Sequence, residues 1–416
     1  MQKPLRILML LENNPYLKDI RVRQEAQSLA KEGYAVTVIC PHSKGRFSHD
    51  VHEGVRIYSY PPPPGGEGLI GYAVEYGYSL VMAFFYSLYC FLRRGFDVIH
   101  AHNPPDLYFI IARMYKLLGK TFVFDHHDLS PELYRYSRFG EEGSEKVFRA
   151  LMGLEIATFK AADYVIATNV SYKQVALERG QRKPEQITIV RNGPDMAKLA
   201  TAVQALEPVA NPPGKTVIGF LGIIGFQDGA DYLLHAVNEL VHTHGRTDFL
   251  CRIVGDGAAV PSLKQQVDEQ NTGDYVEFVG WVPHTTVPRY LQSFDICAAP
   301  EPKNIYTDQC TMIKMMEYMS VAKPIVAFDL TEHRRSAGEA AVYAQANDPA
   351  DYAAKIITLL DDADLRAQLG QVGRQRVEDE LAWEHQEKAL LGLYAKITTT
   401  IDRAYSSKGT IMRFKK

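Results

Sequence analysis

The sequence has few cysteines, little net charge and no uncharged apolar segment of clear membrane-spanning length. Its five cysteines are odd in number and widely spaced, which excludes a disulfide framework and a zinc-finger spacing and indicates a reducing, cytoplasmic compartment. A net charge of −3 over 416 residues gives no whole-chain argument for nucleic acid as a partner. The N-terminal run RILMLL (6–11) is too short for the apolar region of a signal peptide, so we expect none.

A glycine fingerprint is also missing after the first predicted strand. A dinucleotide-binding dehydrogenase should carry Gly-x-Gly-x-x-Gly there, but MLLENNPYLKD contains no glycine, which argues against that class. Glycines do follow the first strand of the second half, at Gly222, Gly225 and Gly229 in LGIIGFQDGADYLL. They would let the backbone approach a ligand before a helix near Asp231. A tight strand-to-helix turn is the alternative explanation.

Short apolar runs alternate with helical stretches along the whole chain. Seven runs precede the Pro/Gly-rich segment EPVANPPGK (207–215), at 6–11, 34–40, 55–60, 97–102, 121–127, 164–169 and 187–192. Six follow it, at 216–222, 249–255, 276–281, 296–300, 324–328 and 341–344. Continuous apolar strands alternating with helices predict an α/β protein with two doubly wound, Rossmann-like domains.

The Pro-rich segment and the end of the chain define the expected domains. We expect a first domain over residues 1–205, a second over 206–382, and a C-terminal helix and tail over 383–416. That last stretch has a helical apolar face that must be buried. Ligands of such sheets bind beyond the carboxyl ends of the strands, so we expect the site in a cleft between two facing domains.

The stretch TMIKMMEYMSVAKPIVAF (311–328) predicts a methionine-rich helix followed by a buried strand. A helix beginning near Thr311 would offer free amides to a diphosphate. Glu317 would then lie about 9 Å further along the axis, where its carboxylate could accept hydrogen bonds from ribose hydroxyls. An exposed glutamate paired with Lys314 or Lys323 is the alternative.

The same stretch resembles the donor-site helix of retaining GT-B glycosyltransferases of the large glycogen-synthase-like group, glycosyltransferase family 4. Those enzymes usually carry two glutamates separated by seven residues; Glu317 matches the second, and Gln309 stands at the first. The preceding loop, with Pro302, Asn304 and Asp308, is similar to the branch that acts in surface-polysaccharide and O-antigen assembly. The segments IVGDGA (253–258) and DLTEHRRSAGEAAVYA (329–344) resemble the same branch.

The resemblance implies a GT-B fold, with an acceptor-side domain over 1–205, a nucleotide-sugar-binding domain over 206–382, and a C-terminal helix and tail over 383–416 that crosses back to the first domain. Capping of the second domain alone is the alternative for that last stretch. The resemblance also implies a role for each part of the donor site. Glu317 would bind ribose, Lys314 would neutralise the diphosphate, and Trp281 or Val282 would lie beside the base, although Trp281 could equally be a core residue. The other implied donor-binding residues lie in the glycine turns and in the loop before the helix: Gly222, Gly225, Gln227, Gly255, Asp308, Gln309, Cys310, Thr311 and Met312.

In the N-terminal half, the resemblance places a cleft histidine in FDHHDLSPELY. We expect His127 in this catalytic role, with Asp128 beside it, because an imidazole can serve in either protonation state near neutral pH. A core histidine is the alternative for any one of these histidines. The implied acceptor-side residues are Asp19, Arg21, Arg23, His102 and Asn103; the first three could instead form a solvated helix face.

The resemblance further implies transfer of a sugar, with UDP favoured as its carrier, to a glycan or polyprenyl-linked saccharide with retention of configuration. The nucleotide sugar would be a co-substrate, and neither a metal nor another cofactor is expected. Two alternatives stay open: a nucleotide-sugar epimerase on the same fold, and an inactive glycosyltransferase-like scaffold at the membrane, which the glutamine at position 309 motivates.

The segment YGYSLVMAFFYSLYCFLRR (76–94) raises the question of membrane contact. Its uncharged part, residues 76–92, is at the short limit for a spanning helix and is rich in Tyr and Ser. We therefore expect a helix that does not span. It would either dock on the inner face of the cell membrane through its aromatic side chains and following arginines, or simply pack on the first sheet.

Overall fold

The computed structural model describes residues 4–63, 68–138 and 143–413, and the chain divides into two compact units. Unit 1 consists of Met1–Pro131, Ser144–Arg191 and Gln386–Lys416, and unit 2 of Glu132–Gly143 and Asn192–His385. The boundary falls after Arg191, whereas the sequence analysis places it after residue 205. Residues 414–416 of the expected tail lie outside the described residues.

The sheet of unit 1 contains eight strands: β1 (Arg6–Leu10), β2 (Ala35–Pro41), β3 (Ser48–His52), β4 (Val55–Tyr60), β5 (Val98–His102), β6 (Thr121–His126), β7 (Tyr164–Ala167) and β8 (Ile187–Ile189). Their order is β3-β4-β2-β1-β5-β6-β7-β8, and every neighbouring pair is parallel except β3 and β4. The sequence analysis did not predict β3, because SHDVH is a polar edge strand without an apolar run.

The sheet of unit 2 is entirely parallel. Its strands are β9 (Thr216–Leu221), β10 (Phe249–Val254), β11 (Val276–Gly280), β12 (Ile296–Ala299), β13 (Ile325–Phe328) and β14 (Ala341–Ala344). The order is β11-β10-β9-β12-β13-β14, the doubly wound order in which strands are added on one side of β9 up to β11 and then, from β12 onward, on its other side, so that the strand order reverses between β9 and β12. All residues of β10, β12 and β13 are buried, as expected of strands covered by helices on both faces.

The α-helices connect these strands and cover the sheets. In chain order they are α1 (Ile20–Lys31), α2 (Gly68–Arg93), α3 (Phe109–Lys116), α4 (Ser130–Leu133), α5 (Glu145–Ala161), α6 (Val170–Glu178), α7 (Met196–Ala205), α8 (Ala230–Asn238), α9 (Val260–Glu269), α10 (Val287–Ser293), α11 (Ile313–Ser320), α12 (Thr331–Ala337), α13 (Pro349–Asp361), α14 (Ala363–Arg376) and α15 (Trp383–Arg413). Within the described ranges, no helix is both long enough and apolar enough to cross a bilayer.

Helix α15 belongs to unit 1 from Gln386 onward. Its buried face includes Leu390, Leu393 and Ile397, at the spacing expected of one side of a helix. On the same face the hydroxyl of Tyr394 lies 3.0 Å from Nδ1 of His100 in β5. The end of the chain therefore contributes both packing and a buried polar contact to the first sheet.

Candidate functional site

The reversal between β9 and β12 fixes where unit 2 can bind a ligand. In doubly wound sheets, the crevice opens at the carboxyl ends of the two strands on either side of such a reversal. Here Gly222 follows β9, and Pro300 and Glu301 follow β12. Helix α11 brings Lys314 to the same corner, where a Cβ atom on Gly222 would lie 3.5 Å from Cε and 3.6 Å from Nζ of Lys314.

The glycines at this corner serve two different purposes. A Cβ atom on Gly255 would lie 1.8 Å from the carbonyl oxygen of Gly222, and one on Gly229 would lie 2.0 Å from that of Pro300. These two positions therefore need glycine because adjacent turns touch, and both have positive φ angles, 140° and 70°. Gly222 (φ 152°) instead faces the lysine side chain. A Cβ atom there would make ordinary van der Waals contact with Lys314, so the φ angle, rather than a lack of space, favours glycine at this position.

Lys314 is held by a buried carboxylate that the sequence analysis missed. Its Nζ lies 2.6 Å from Oε1 of Glu301 and 3.9 Å from Oδ1 of Asp228, and it sits 4.2 Å from the ring centre of Phe220. Glu301 is fully buried. The signal was present in the sequence, since AAPEP puts a glutamate directly after a buried strand, where sites occur.

His333 completes this group, which we call the Lys314 cluster (Lys314, Glu301, Asp228 and His333). Its Nε2 lies 3.5 Å from Oε2 of Glu301, and its Nδ1 bonds the carbonyl oxygen of Phe328. Burial lowers the pKa of His333 although Glu301 opposes the shift. Burial also raises the pKa of Asp228, and Lys314 opposes that shift. One ammonium group thus faces two carboxyl groups at the ligand corner.

Helix α11 begins at Ile313, two residues later than the sequence predicts. Glu317 is therefore only about 6 Å along the axis from the helix start, rather than about 9 Å. The first two amides of the helix, at Ile313 and Lys314, precede any intrahelical partner. The positive end of the helix thus carries Lys314, whose side chain reaches the glycine turn, and both features suit a phosphate group.

Glu317 is half-buried, and among the described residues its carboxylate has no hydrogen-bond or ion-pair partner. The alternative of a surface ion pair is wrong, because Nζ of Lys314 goes to Glu301 and Nζ of Lys323 donates to the carbonyl oxygen of Gln292. Burial raises the pKa of Glu317, against the opposing charges of His284 and Lys314. A ligand that donates hydroxyl hydrogen bonds would relieve this unpaired carboxylate.

Several groups of the loop before α11 that the sequence predicts to bind a ligand form hydrogen bonds within the protein instead. Asp308 accepts hydrogen bonds from the amide and hydroxyl of Thr331 at 2.8 and 2.9 Å, so it caps α12. The side-chain amide of Gln309 donates to the carbonyl oxygen of Ile305, and the backbone amide of Cys310 donates to that of Thr307. The predicted use of the Cys310 amide for a diphosphate is therefore wrong.

The remaining residues of this loop and of the glycine turn have the following positions. The hydroxyl of Thr311 lies 3.4 Å from Oε2 of Glu332, and Met312 is the residue that precedes α11. The side chain of Gln227 lies against Gly225, where a Cβ atom would approach it to 2.7 Å. Glu332 is itself paired with Arg335 at 2.7 Å, so two further charged groups lie next to Thr311.

The segment after β11 presents an aromatic ring to solvent. Trp281 is 72 % exposed, so the core alternative for this residue is wrong. Val282 is half-buried and packs on the apolar cluster under α11, and His284 follows within the same exposed segment. An exposed indole at the carboxyl end of a strand has the position expected of a surface that stacks on a base.

In unit 1 the predicted residues gather around Asp125 in β6. Arg21 donates to both carboxylate oxygens of Asp125 at 2.8 and 2.9 Å and lies 3.1 Å from Glu25. His102 Nδ1 lies 3.0 Å from Asp125, and the ring of His102 stacks on that of His100 at 4.4 Å. We call these five buried residues the Asp125 cluster.

Charge in the Asp125 cluster is set by Arg21. Burial would raise the pKa of Asp125, but Arg21 and the surrounding histidines hold it well below the usual range. Burial raises the pKa of Glu25 well above its usual range and lowers that of His102 to about 3. Glu25, His100, His102 and Asp125 are also metal-ligand types within 4.8 Å of one another. Because a guanidinium group already occupies both oxygens of Asp125, we expect no cation there.

His127 lies at the edge of this cluster and is partly exposed. Its Nδ1 is 3.7 Å from Oδ1 of Asp125, and its ring centre is 5.9 Å from that of His102. Burial lowers its pKa, but Asp125 and Asp128 outweigh burial and the pKa is raised. His126 points elsewhere, to Glu155 at 3.0 Å, and is a core histidine.

The structure corrects several acceptor-side predictions. Arg21 is neither a ligand-facing residue nor part of a solvated face, because its guanidinium is buried against Asp125. Asp19 caps α1 by accepting from the amide of Val22 at 2.9 Å, and Arg23 donates to the carbonyl oxygen of Leu17. Asn103 is buried and accepts from the amides of His127 and Asp128 at 2.8 and 3.1 Å, so it positions the catalytic candidates.

Two family models match the chain, one in each half. Residues 20–198 match the model described as "Glycosyltransferase Family 4", and residues 215–362 match the one described as "Glycosyl transferases group 1". Among curated proteins, the chain is 23 % identical over 394 residues to a glycogen synthase of Mycobacterium tuberculosis, covering 90 % of this chain and 89 % of the other.

Two further likenesses point the same way. A UDP-Gal:alpha-D-GlcNAc-diphosphoundecaprenol alpha-1,3-galactosyltransferase of Escherichia coli is 22 % identical over 283 residues, 67 % of this chain and 68 % of that one. The sucrose-phosphate synthase structure from Thermosynechococcus elongatus matches with a TM-score of 0.76 and 19 % identity, over 95 % of this chain and all of the other. The chain has the GT-B fold. Two glycosyltransferase family models therefore match the chain in order, one over each half, and the fold is that of GT-B glycosyltransferases.

Proposed function

We propose that this chain transfers a hexosyl group from a UDP-sugar to a polyprenyl-linked saccharide, with retention of configuration, during synthesis of a surface polysaccharide. The single observation that carries the proposal is the corner of unit 2 where Lys314, in the first turn of α11, lies beside Gly222 of the glycine turn. The named galactosyltransferase relative, which uses UDP-Gal and a diphosphoundecaprenol-linked sugar, supports the choice of donor and acceptor.

The donor would bind along α11. Its diphosphate would lie between Gly222, Lys314 and the amides of Ile313 and Lys314, and its ribose hydroxyls would donate to Glu317. The base would stack near Trp281 and Val282. In unit 1, Asn103 fixes the backbone at His127 and Asp128, which we propose as the catalytic residues. The nucleotide sugar is a co-substrate in this scheme, and we propose no metal or other cofactor.

In the proposed reaction, one bond to the anomeric carbon breaks and another forms, both on the same face of the sugar. The anomeric carbon–oxygen bond to the diphosphate breaks, the acceptor oxygen bonds to the anomeric carbon, and the acceptor proton passes to a diphosphate oxygen. The chain then contributes positioning and charge stabilisation rather than a nucleophile. Lys314 and the start of α11 would stabilise the charge on the departing diphosphate.

The test begins with donor binding. Thermal shift with UDP-, GDP- and ADP-linked sugars should reveal the donor, because a ligand at a hundred times its Kd stabilises the folded protein by about 2.7 kcal/mol. We expect the stabilising ligand to be a UDP-sugar. Transfer to a polyprenyl diphosphate saccharide is then measured, with the anomeric configuration of the product read by NMR. Conversion of the donor to its epimer without an acceptor would favour the epimerase, and failure to bind any nucleotide sugar would favour the inactive scaffold.

The proposed setting is the cytoplasmic face of the membrane, where a polyprenyl-linked acceptor would be presented. The side chains suited to such a contact lie in unit 1.

A further inference from the structure

Helix α2 has its large apolar side chains on the outside. Six of them recur every three, four or seven residues and are exposed: Ile70, Val74, Val81, Phe85, Leu88 and Leu92. Ile70 and Leu92, near the two ends, are 81 % and 75 % exposed. At the usual rise per residue, this row is about 33 Å long.

The side of α2 that faces the protein carries smaller residues. Ser79, Ala83, Ser87 and Cys90 are all buried, at the same helical spacing. The exposed row of α2 therefore carries bulkier and more apolar side chains than its buried row, whereas the apolar stripe of an ordinary surface helix faces the core. Core packing does not account for the outer row, and single exposed apolar residues would not recur along one line of a helix.

A groove next to this row extends the apolar surface. It has a volume of about 500 Å³ and lies between α2 and the edge strands, lined by Phe47, His49, Tyr58, Met82, Phe85 and Tyr89 among others. Phe47 and Val51 are more than 60 % exposed at the same edge. Because Phe85 belongs to both features, the row and the groove form one continuous surface.

Helix α3 and the two residues after it add a second exposed row beside the C-terminal half of α2. Ile110 and Met114 on α3, and Leu117 and Leu118 directly after it, are exposed. The contact between the helices is made by Tyr115, whose hydroxyl lies 3.0 Å from that of Ser87 and whose ring centre lies 5.3 Å from that of Phe91.

Positive charge borders these rows. Arg93 and Arg94 are exposed at the end of α2, and Arg113 is exposed on α3. Among the described residues, no carboxylate forms an ion pair with any of the three. The acidic side chains carried by α2, α3 and β3 are only Glu75 and Asp50. Arginines beside an apolar surface complement a layer that is apolar inside and anionic at its face.

We propose that this surface, which we call the α2 surface (the outer row of α2, the adjoining groove and the outer row of α3), docks on an anionic lipid bilayer. The outer rows enter the boundary between headgroups and acyl chains, the groove takes an acyl chain, and the arginines bind lipid phosphates. The inference rests on unit 1 alone and holds whether or not the proposed sugar transfer is correct. If both hold, docking brings the enzyme to a lipid-linked acceptor.

The experiment is flotation of the full chain with vesicles of phosphatidylcholine alone or of phosphatidylcholine mixed with phosphatidylglycerol. We expect binding to the mixed vesicles, weakening as salt is raised, and little binding to the neutral ones. The double variant Arg93→Gln/Arg94→Gln should lower the partition coefficient by roughly tenfold or more, because each basic residue near an anionic surface contributes about 1 kcal/mol.

A second pair of variants separates the apolar contribution from a general effect on the protein. Leu92→Asp should reduce flotation strongly, whereas Val372→Asp, on α14 of unit 2 and itself exposed, should not. Both proteins should keep the thermal stability of the parent because both side chains lie at the surface. Flotation that is equal on neutral vesicles, or unchanged by Leu92→Asp, would overturn the proposal. So would a concentration-dependent dimer that Leu92→Asp abolishes in a chain that does not float.

Discussion

Replacing Glu317 by glutamine should make the empty protein more stable and donor binding weaker. The carboxylate is half-buried without a partner among the described residues, and burial raises its pKa. A carboxyl group whose pKa is raised on folding destabilises the folded state when it is ionised. Glutamine has nearly the same shape and no charge, so it removes that cost.

The pH dependence of this effect has a definite sign. Above the folded-state pKa of Glu317, the parent carries the unfavourable charge and the variant should melt at a higher temperature. As the pH falls through that pKa, the parent takes up a proton and the difference should shrink. Thermal melts of both proteins at a series of pH values without ligand measure it.

Donor binding should change in the opposite direction. If ribose hydroxyls donate to the carboxylate, the loss of a charge-assisted hydrogen bond costs roughly 1.5–3 kcal/mol, which corresponds to a tenfold to hundredfold weaker Kd. Calorimetric titration with the donor found by thermal shift gives the Kd. Glu339→Gln is the matched control, since that side chain is exposed on unit 2. A variant that binds donor as tightly as the parent, or is less stable at high pH, would refute the reasoning.

Three further predictions follow from the two clusters and from the proposed chemistry. Glu301→Gln should lower the melting temperature, because it leaves the buried ammonium group of Lys314 without a charged partner at 2.6 Å. Saturating donor should raise the melting temperature more in the variant than in the parent. An equal rise in both proteins would show that Lys314 does not bind the diphosphate. Tyr394→Phe should lower the free energy of unfolding in urea by about 1–3 kcal/mol, because it leaves Nδ1 of buried His100 without its partner. The control Tyr290→Phe, at a half-buried position on α10, should change the free energy of unfolding little. Equal effects of the two variants would argue against the Tyr394–His100 hydrogen bond. Sugar transfer should persist in EDTA, as measured by product formation, and a loss restored by added metal would contradict the proposed metal-free mechanism.

The sequence predicted the sheets well because their strands are continuous apolar runs. Thirteen runs correspond to strands of the structure, and the one strand that was missed, β3, is a polar edge strand. The glycine turn after β9 and the helix carrying Glu317 were also predictable, since each depends on a local pattern. The bounds of these elements were less predictable. Helix α11 begins two residues after the predicted start, because the preceding loop forms its own hydrogen bonds.

The partners of polar side chains could not be predicted, because they come from distant parts of the chain. Arg21 meets Asp125 across 104 positions, and this pairing turns an expected ligand-facing residue into a buried one. Asp308 meets Thr331 across 23 positions and becomes a helix cap. Glu301 has an uninformative sequence context apart from its place after a strand, and only the fold shows that it holds Lys314.

The carboxylate of Glu301 beside Lys314 would affect how quickly a nucleoside diphosphate product dissociates from the proposed site. An ammonium group with a carboxylate 2.6 Å away is already largely neutralised, so a diphosphate that arrives must share it. Attraction between the lysine and an anion is then weaker than for an isolated cation, both on arrival and on departure. If the diphosphate binds at Lys314 as proposed, this carboxylate lowers the affinity of the site for the donor and for the nucleoside diphosphate product alike. Inhibition by that product would then be weaker.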